Sequence, residues 1–203
     1  MRVKNFCVGP LATNMYICSD EKNEGFIVDC PYKSNEVLEY IKEEKIDIKF
    51  ILLTHTHVDH VLGAKFFSEK LNVPIYASED SRDIYEDVNY NLSDYMAYPI
   101  EKYEIDEFLL DKQIIEKFNI ICLKTPGHTI DSMSFALEDI IFSGDTIFKL
   151  SIGRTDFAGG DYNSIIHSIK ERILVFDDDT KIYPGHGEST NVLYEKENNP
   201  FVN

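Results

Sequence analysis

The feature that most limits what this chain can fold into is the junction between Phe50-Ile51-Leu52-Leu53 and Thr54-His55-Thr56-His57-Val58-Asp59-His60. Four consecutive large apolar residues bounded by polar ones read as a buried strand. The strand stops abruptly in a segment that carries three of the chain's six histidines and one aspartate. In extended backbone, residues two apart point the same way, so His55 and His57 present their imidazoles side by side. Asp59 and His60 fall where Val61-Leu62-Gly63-Ala64-Lys65-Phe66-Phe67 begins to read as helix, which aims them in other directions. Neutral imidazole and carboxylate suit zinc, with iron and manganese as alternatives. The competing reading, a polar loop with chance histidines, leaves this spacing unexplained.

Around this junction, strands are predicted at Arg2 to Val8, Asn14 to Cys18, Gly25 to Val28, Ile48 to Leu53 and Val73 to Tyr76. A helix capped by Ser34 carries the stripe Val37, Leu38 and Ile41, and a second runs to about Leu71. Strand and helix in alternation argue for a layered α/β protein. From Ser78 to Tyr103 the periodicity weakens, and Tyr85, Tyr90, Tyr95, Tyr98 and Tyr103 alternate with acids and asparagines. A helix and loop covering their own core with tyrosines are expected there in preference to a substrate lid. Further strands are predicted at Ile114 to Leu123, Ser132 to Leu137, Asp139 to Phe142 and Lys181 to Tyr183. Tyr162 to Val175 is an amphipathic helix with Asp161 at its start, and the chain is expected to end in a polar tail. With no repeat and no linker, residues 1–203 read as a single domain.

Three more polar islands follow apolar strands: Thr125-Pro126-Gly127-His128-Thr129, Ser143-Gly144-Asp145-Thr146 and Tyr183-Pro184-Gly185-His186-Gly187. In each, a glycine precedes the His or Asp and lets the backbone turn sharply. One Gly-His after a strand is usually an ordinary turn. Four islands at strand ends, each with metal-type donors, point to one assembled site. His167 lies inside the amphipathic helix and reads as structural or solvated.

Composition narrows the partners. A formal charge of −16, from 36 acidic and 20 basic residues, repels phosphate backbones and anionic lipid, so neither nucleic acid nor a membrane surface is expected. Cys7, Cys18, Cys30 and Cys122 lie scattered in apolar runs without a Cys-x-x-Cys pair, which suits reduced, buried thiols in the cytoplasm. Residues 1–20 lack a signal-peptide core and no stretch reaches transmembrane length.

Taken together and in order, the four islands resemble the metallo-β-lactamase superfamily, and within it the glyoxalase II-like hydrolases. The resemblance implies a four-layer αββα sandwich of two mixed sheets flanked by helices, with two metal ions at one edge. It implies His55, His57 and His128 for the first metal, Asp59, His60 and His186 for the second, and Asp145 as the bridge. Asp29 stands where an early aspartate supports such a site. Two departures concern the surroundings: Cys30-Pro31 replaces the usual Pro-Gly, and Ile130-Asp131 replaces small residues after Thr129.

The implied chemistry is hydrolysis by a metal-bound hydroxide, since coordination lowers the pKa of water from about 15.7 to about 7. Asp59 would orient it and take its proton, and a thioester suits a site lacking an acid for the leaving group. The expectation is a zinc-dependent thioesterase of glyoxalase II type acting on a small-molecule thioester, without that family's further C-terminal helical substrate region. Arg154 is a candidate substrate contact or loop brace. The alternative on the same fold is a mononuclear iron persulfide dioxygenase, in which His55, His128 and Asp145 would form a facial triad. A true β-lactamase is less expected, because Asp145 stands at the bridging place and the second-site cysteine common in those enzymes is missing.

Overall fold

The computed structural model describes residues 1–202. The first half of the chain builds β1 (Arg2–Val8), β2 (Thr13–Ser19), β3 (Glu24–Val28), α1 (Asn35–Glu43), β4 (Asp47–Leu52), α2 (Val58–Val61), α3 (Ala64–Leu71), β5 (Ile75–Ser78), α4 (Ser93–Met96) and β6 (Glu107–Leu109). Its six strands form one sheet in chain order. Strands β1 to β3 are antiparallel, and β3 to β6 are parallel. The second half adds β7 (Ile114–Ile115), β8 (Ile120–Lys124), β9 (Met133–Leu137), β10 (Ile140–Gly144), the ribbon β11 (Ile147–Phe148) and β12 (Ser151–Ile152), α5 (Tyr162–Ser168), β13 (Lys181–Pro184), β14 (Thr190–Asn191) and α6 (Val192–Asn198). The second sheet has the order β14-β13-β10-β9-β8-β7, with β10 and β13 parallel.

Side-chain alternation shows why two sheets must pack face to face. Successive strand residues point to opposite faces. Tyr16, Cys18, Phe26, Val28, Phe50 and Leu52 of the first sheet pack with Ile120, Cys122, Met133, Phe135, Leu137, Ile140 and Phe142 of the second. The alternate residues of the first sheet, among them Met15, Ile17, Ile27 and Ile51, pack under α1 and α3 through Val37, Ile41, Ala64 and Phe67. Those of the second, among them Leu123, Ala136, Ile141 and Ile182, pack with Ile165, Ile169 and Ile173. Three apolar layers between four structural layers make the αββα sandwich. Strands covered on both faces lose the polar alternation of a half-exposed sheet, and β2 is buried along its whole length.

Ser34 caps α1 by accepting the Val37 N–H, and Asp161 caps α5 by accepting the Ser164 N–H. After Ser168 the long apolar stripe continues as one wide π turn, Ile169–Ile173, closed by Leu174 N–H donating to the Ile169 carbonyl at 2.8 Å.

Several expectations need correction. The strand expected over Ile114 to Leu123 is two, because the chain turns at Glu116–Asn119 and Asn119 takes φ +54°. The strand expected from Val73 begins at Ile75, since Pro74 has no N–H to give a ladder. The chain's end is no polar tail: α6 is capped by Asn191 and buries Val192 and Glu195. Glu195 accepts the Leu150 N–H and the Thr190 hydroxyl, while Asn199 donates to the Ser151 carbonyl, so this end grips the β11–β12 ribbon. Cys7 is exposed, whereas Cys18, Cys30 and Cys122 are buried thiols as expected. Strand β6 and the ribbon are too short to leave a periodic signal.

Phe142 is fully buried against Tyr16, Phe26 and Tyr183 between the sheets. Phe142→Ala is expected to lower stability by about 3–5 kcal/mol, read as a lower urea midpoint at unchanged slope.

Candidate metal centre

Each polar island follows the C-terminal end of a strand. His55 to His60 follow β4, His128 follows β8, Asp145 follows β10, and His186 follows β13. In the second sheet β8, β10 and β13 run in the same direction, so their ends reach the same edge. Two backbone bonds stitch the sheets together there: Met133 N–H to the Thr54 carbonyl (2.8 Å), and Asn14 N–H to the Gly185 carbonyl (2.7 Å) within an antiparallel bridge that pairs Thr13 with His186.

The seven side chains expected as ligands converge at this edge. Donor atoms of His55, His57 and His128 lie within 4.8 Å of one another, as do those of His55, His60 and Asp145 and those of Asp59, His60 and His186. His60 is common to two of these sets and Asp145 reaches toward both ends of the cluster. Its carboxylate lies 3.4 Å from His60 Nε2, 3.6 Å from His128 Nε2 and 3.5 Å from His186 Nε2. Asp59 lies 3.2 Å from His186 Nε2. Turning α2 directly after His57 is what separates Asp59 and His60 from the His55–His57 pair.

Hydrogen bonds behind the cluster orient it. Asp29, at φ +58°, accepts the Thr54 N–H and hydroxyl, both at 2.8 Å, and pairs with His60 Nδ1 at 2.8 Å. Thr54 Oγ1 reaches His55 Nδ1 at 3.1 Å, and the Arg154 carbonyl reaches His128 Nδ1 at 2.7 Å. Thr13 donates to Asp59 at 3.2 Å. Such outer partners fix the tautomer and direction of a ligating imidazole. Gly185 is required by space: a Cβ there would lie 2.1 Å from Asp145 Oδ1 and 2.7 Å from His60 Cε1.

The electrostatics and the orphaned atoms fit a divalent cation. Burial, and then the neighbouring histidines, push His55 well below its ordinary range; burial and His128 bring His57 down to about 3. Both are neutral at physiological pH, the form that ligates metal. Burial opposes a charge on His60, but Asp29, Asp59 and Asp145 outweigh it and hold the imidazole well above its usual range. Burial also opposes the Asp59 and Asp145 carboxylates, and the surrounding histidines keep both ionised. Nε2 of His55, His57 and His60 and Oδ1 of Asp145 are buried without any hydrogen-bond partner. Buried polar atoms are rarely left so, and four of them within one cluster of histidines and aspartates match the donor types of a metal site.

Arg154 is exposed, its guanidinium forked onto Asp156 at 2.9 and 2.7 Å and stacked 4.2 Å over Phe157. Its carbonyl, not its charge, reaches the cluster. Phe157 packs edge-on against His57 and His128, with exposed Tyr95 beside it. His167 lies on α5, outside the cluster. Thr13, Asp131 and Phe157 were not found among the candidate site residues by sequence reasoning. Asp131 did leave a trace, as a charged residue beside a buried strand.

A family description, the metallo-beta-lactamase superfamily, matches residues 8–186. The hydroxyacylglutathione hydrolase GloC of Haemophilus influenzae is 34% identical over 193 residues, covering 92% of this chain and 91% of that protein. Among solved structures, the BLEG-1 B3 metallo-beta-lactamase aligns with TM-score 0.94 at 32% identity over 99% of both chains. TTHA1623 in a di-iron-bound form aligns with TM-score 0.88 at 28% identity over 98% of this chain and all of the other. This chain therefore belongs to the metallo-beta-lactamase superfamily. Among the described residues no helix is long and apolar enough to cross a membrane.

Two outcomes follow for the site. Gly185→Ala is expected to retain the far-UV circular dichroism of the unaltered protein but to lose bound metal by elemental analysis. Asp29→Ala is expected to weaken metal affinity about 10–100-fold in chelator competition.

Proposed function

We propose that this metallo-hydrolase of the metallo-beta-lactamase superfamily is a zinc-dependent thioesterase of glyoxalase II type. The observation that carries the reading is the convergence of seven histidine and aspartate side chains at one edge, four of whose buried polar atoms lack any partner. The identity with GloC supports a thioester as the substrate class. In this reading His55, His57 and His128 would hold one metal and Asp59, His60 and His186 a second, with Asp145 as the shared carboxylate. Bound zinc supplies Lewis acidity and brings water to a pKa near neutrality, about 7.

The protein's part is positional. The Asp59 carboxylate, steadied by Thr13, orients the attacking water and accepts its proton as oxygen bonds to the acyl carbon. The carbon–sulfur bond then breaks, and the sulfur departs as thiolate, which needs no general acid because a thiol's pKa is only about 8.5. Phe157 walls the His57–His128 side and excludes water from it. Arg154 stands at the rim. Its exposed pair with Asp156 is one that a substrate carboxylate can displace.

The second reading is the mononuclear iron persulfide dioxygenase; TTHA1623 in a di-iron-bound form is a similar protein that holds iron, though as two ions and not one. Likeness to BLEG-1 adds a β-lactam to the substrates worth assaying. The deciding experiment is elemental analysis of protein purified without added metal, with assays of S-lactoylglutathione, a small acyl thioester, a β-lactam and a persulfide. About two zinc per chain and thioester turnover abolished by chelator are expected, with Asp59→Asn lowering kcat about 10²–10⁴-fold. One iron per chain with oxygen uptake on persulfide, and no thioester turnover, would replace this reading with the dioxygenase.

A further inference from the structure

Asp131 is a buried carboxylate, 1% exposed, that takes no place in the metal-type cluster. Its own turn does not need it. Gly127 N–H bonds the Thr129 carbonyl, Thr125 N–H bonds the Ser132 carbonyl, and Thr129 Oγ1 meets Ser132 Oγ at 2.7 Å. Every bond that Asp131's side chain makes goes to another part of the chain. Oδ2 accepts from Thr56 Oγ1 at 2.7 Å and from Ser81 Oγ at 3.1 Å. Thr56 is the residue between His55 and His57. Ser81 ends the 3₁₀ turn Glu79–Ser81 that opens the tyrosine-rich segment.

The other oxygen, Oδ1, is buried with no partner, and so is the hydroxyl of Tyr103, which closes the same segment. Tyr103 is 5% exposed. Burial and then the Asp131 charge push its hydroxyl above the ordinary range. A buried polar atom is costly unless bonded, so the two bonds that Asp131 does make carry weight. The segment also holds the histidine loop directly, through Val58 N–H donating to the Asn91 carbonyl at 2.7 Å.

We propose that Asp131 is a positioning residue for the candidate metal centre: it ties Thr56, and with it the spacing of His55 and His57, to the tyrosine-rich segment through Ser81. The proposal rests on the metal-centre reading above. It assigns residues 78–103 to the backing of the site.

The test is zinc competition against a chromophoric chelator, together with thermal melting of the metal-free protein and the visible spectrum of the cobalt-substituted form. Thr56→Val keeps the volume and removes the donor; Asp131→Ala removes the acceptor. Each is expected to weaken zinc affinity about 10–100-fold and to shift the cobalt spectrum. The double variant is expected to be no weaker than the worse single one, since both break the same bond. Asp131→Asn keeps an acceptor for Thr56 and Ser81, and is expected to stay within roughly twofold of the unaltered chain. Variants that melt earlier yet bind zinc like the unaltered chain would make Asp131 merely structural and overturn the proposal, as would additive losses in the double variant. If Asp131→Ala fails to fold, Thr56→Val decides alone. If the unaltered chain binds no zinc, iron or manganese, the metal-centre reading itself falls.

Discussion

The structure depends on how the Asp29 carboxylate is used. Placed at the end of β3 with φ +58°, it takes two hydrogens from Thr54 and one from His60, so a single buried charge fastens β3, the end of β4 and α2 together. That arrangement creates an electrostatic demand. His60 then lies among Asp29, Asp59 and Asp145, and three carboxylates in a poorly solvated edge require compensating positive charge. Protonation of His60 meets part of it. A divalent cation would meet it more fully while giving partners to the orphaned nitrogens of His55, His57 and His60.

A sandwich of two sheets is well suited to hold such a cluster. The inner strands are buried on both faces, so their ends are fixed by the aromatic packing between the sheets, including the stacked Phe26–Phe50 pair and the contact of Tyr16 with Phe142. Ligands mounted at those ends inherit that rigidity, and outer hydrogen bonds fix their remaining rotation. The C-terminal helix extends the same logic. Through Glu195 and Asn199 it grips the ribbon that leads from Asp145 to Arg154, whose carbonyl orients His128. A segment that looks polar in sequence is thereby part of the framework of the site.

Much of the candidate site is legible in local sequence because its donors sit on motifs shorter than eight residues. The histidine loop and the three Gly-His or Gly-Asp turns each announce themselves beside an apolar strand, whereas the supporting Asp29 is picked out only by the family resemblance. The αββα layering follows from strands too apolar to face water on either side, though its full order needed the family resemblance. Thr13 and Phe157 were not legible, because nothing near them in sequence marks a contact with Asp59 or with His57. The division of Ile114 to Leu123 into two strands was hidden by apolar residues that continue through the turn. The tail was misread since Val192 and Glu195 are buried by a ribbon distant in sequence.

The sequence by itself determined which candidate donors are present, that His55 and His57 share a face, and that each polar island follows a buried strand. These are decided by composition and by backbone periodicity, which act over a few residues. The tertiary structure alone decided that residues as far apart as His60 and His186 meet, that Asp131 and Ser81 back the histidine loop, and that the Arg154 side chain is committed to Asp156 at the rim. The reason is physical. Convergence depends on strand direction and sheet order, and the orientation of each imidazole depends on hydrogen bonds from other segments, which exist only once both sheets have packed.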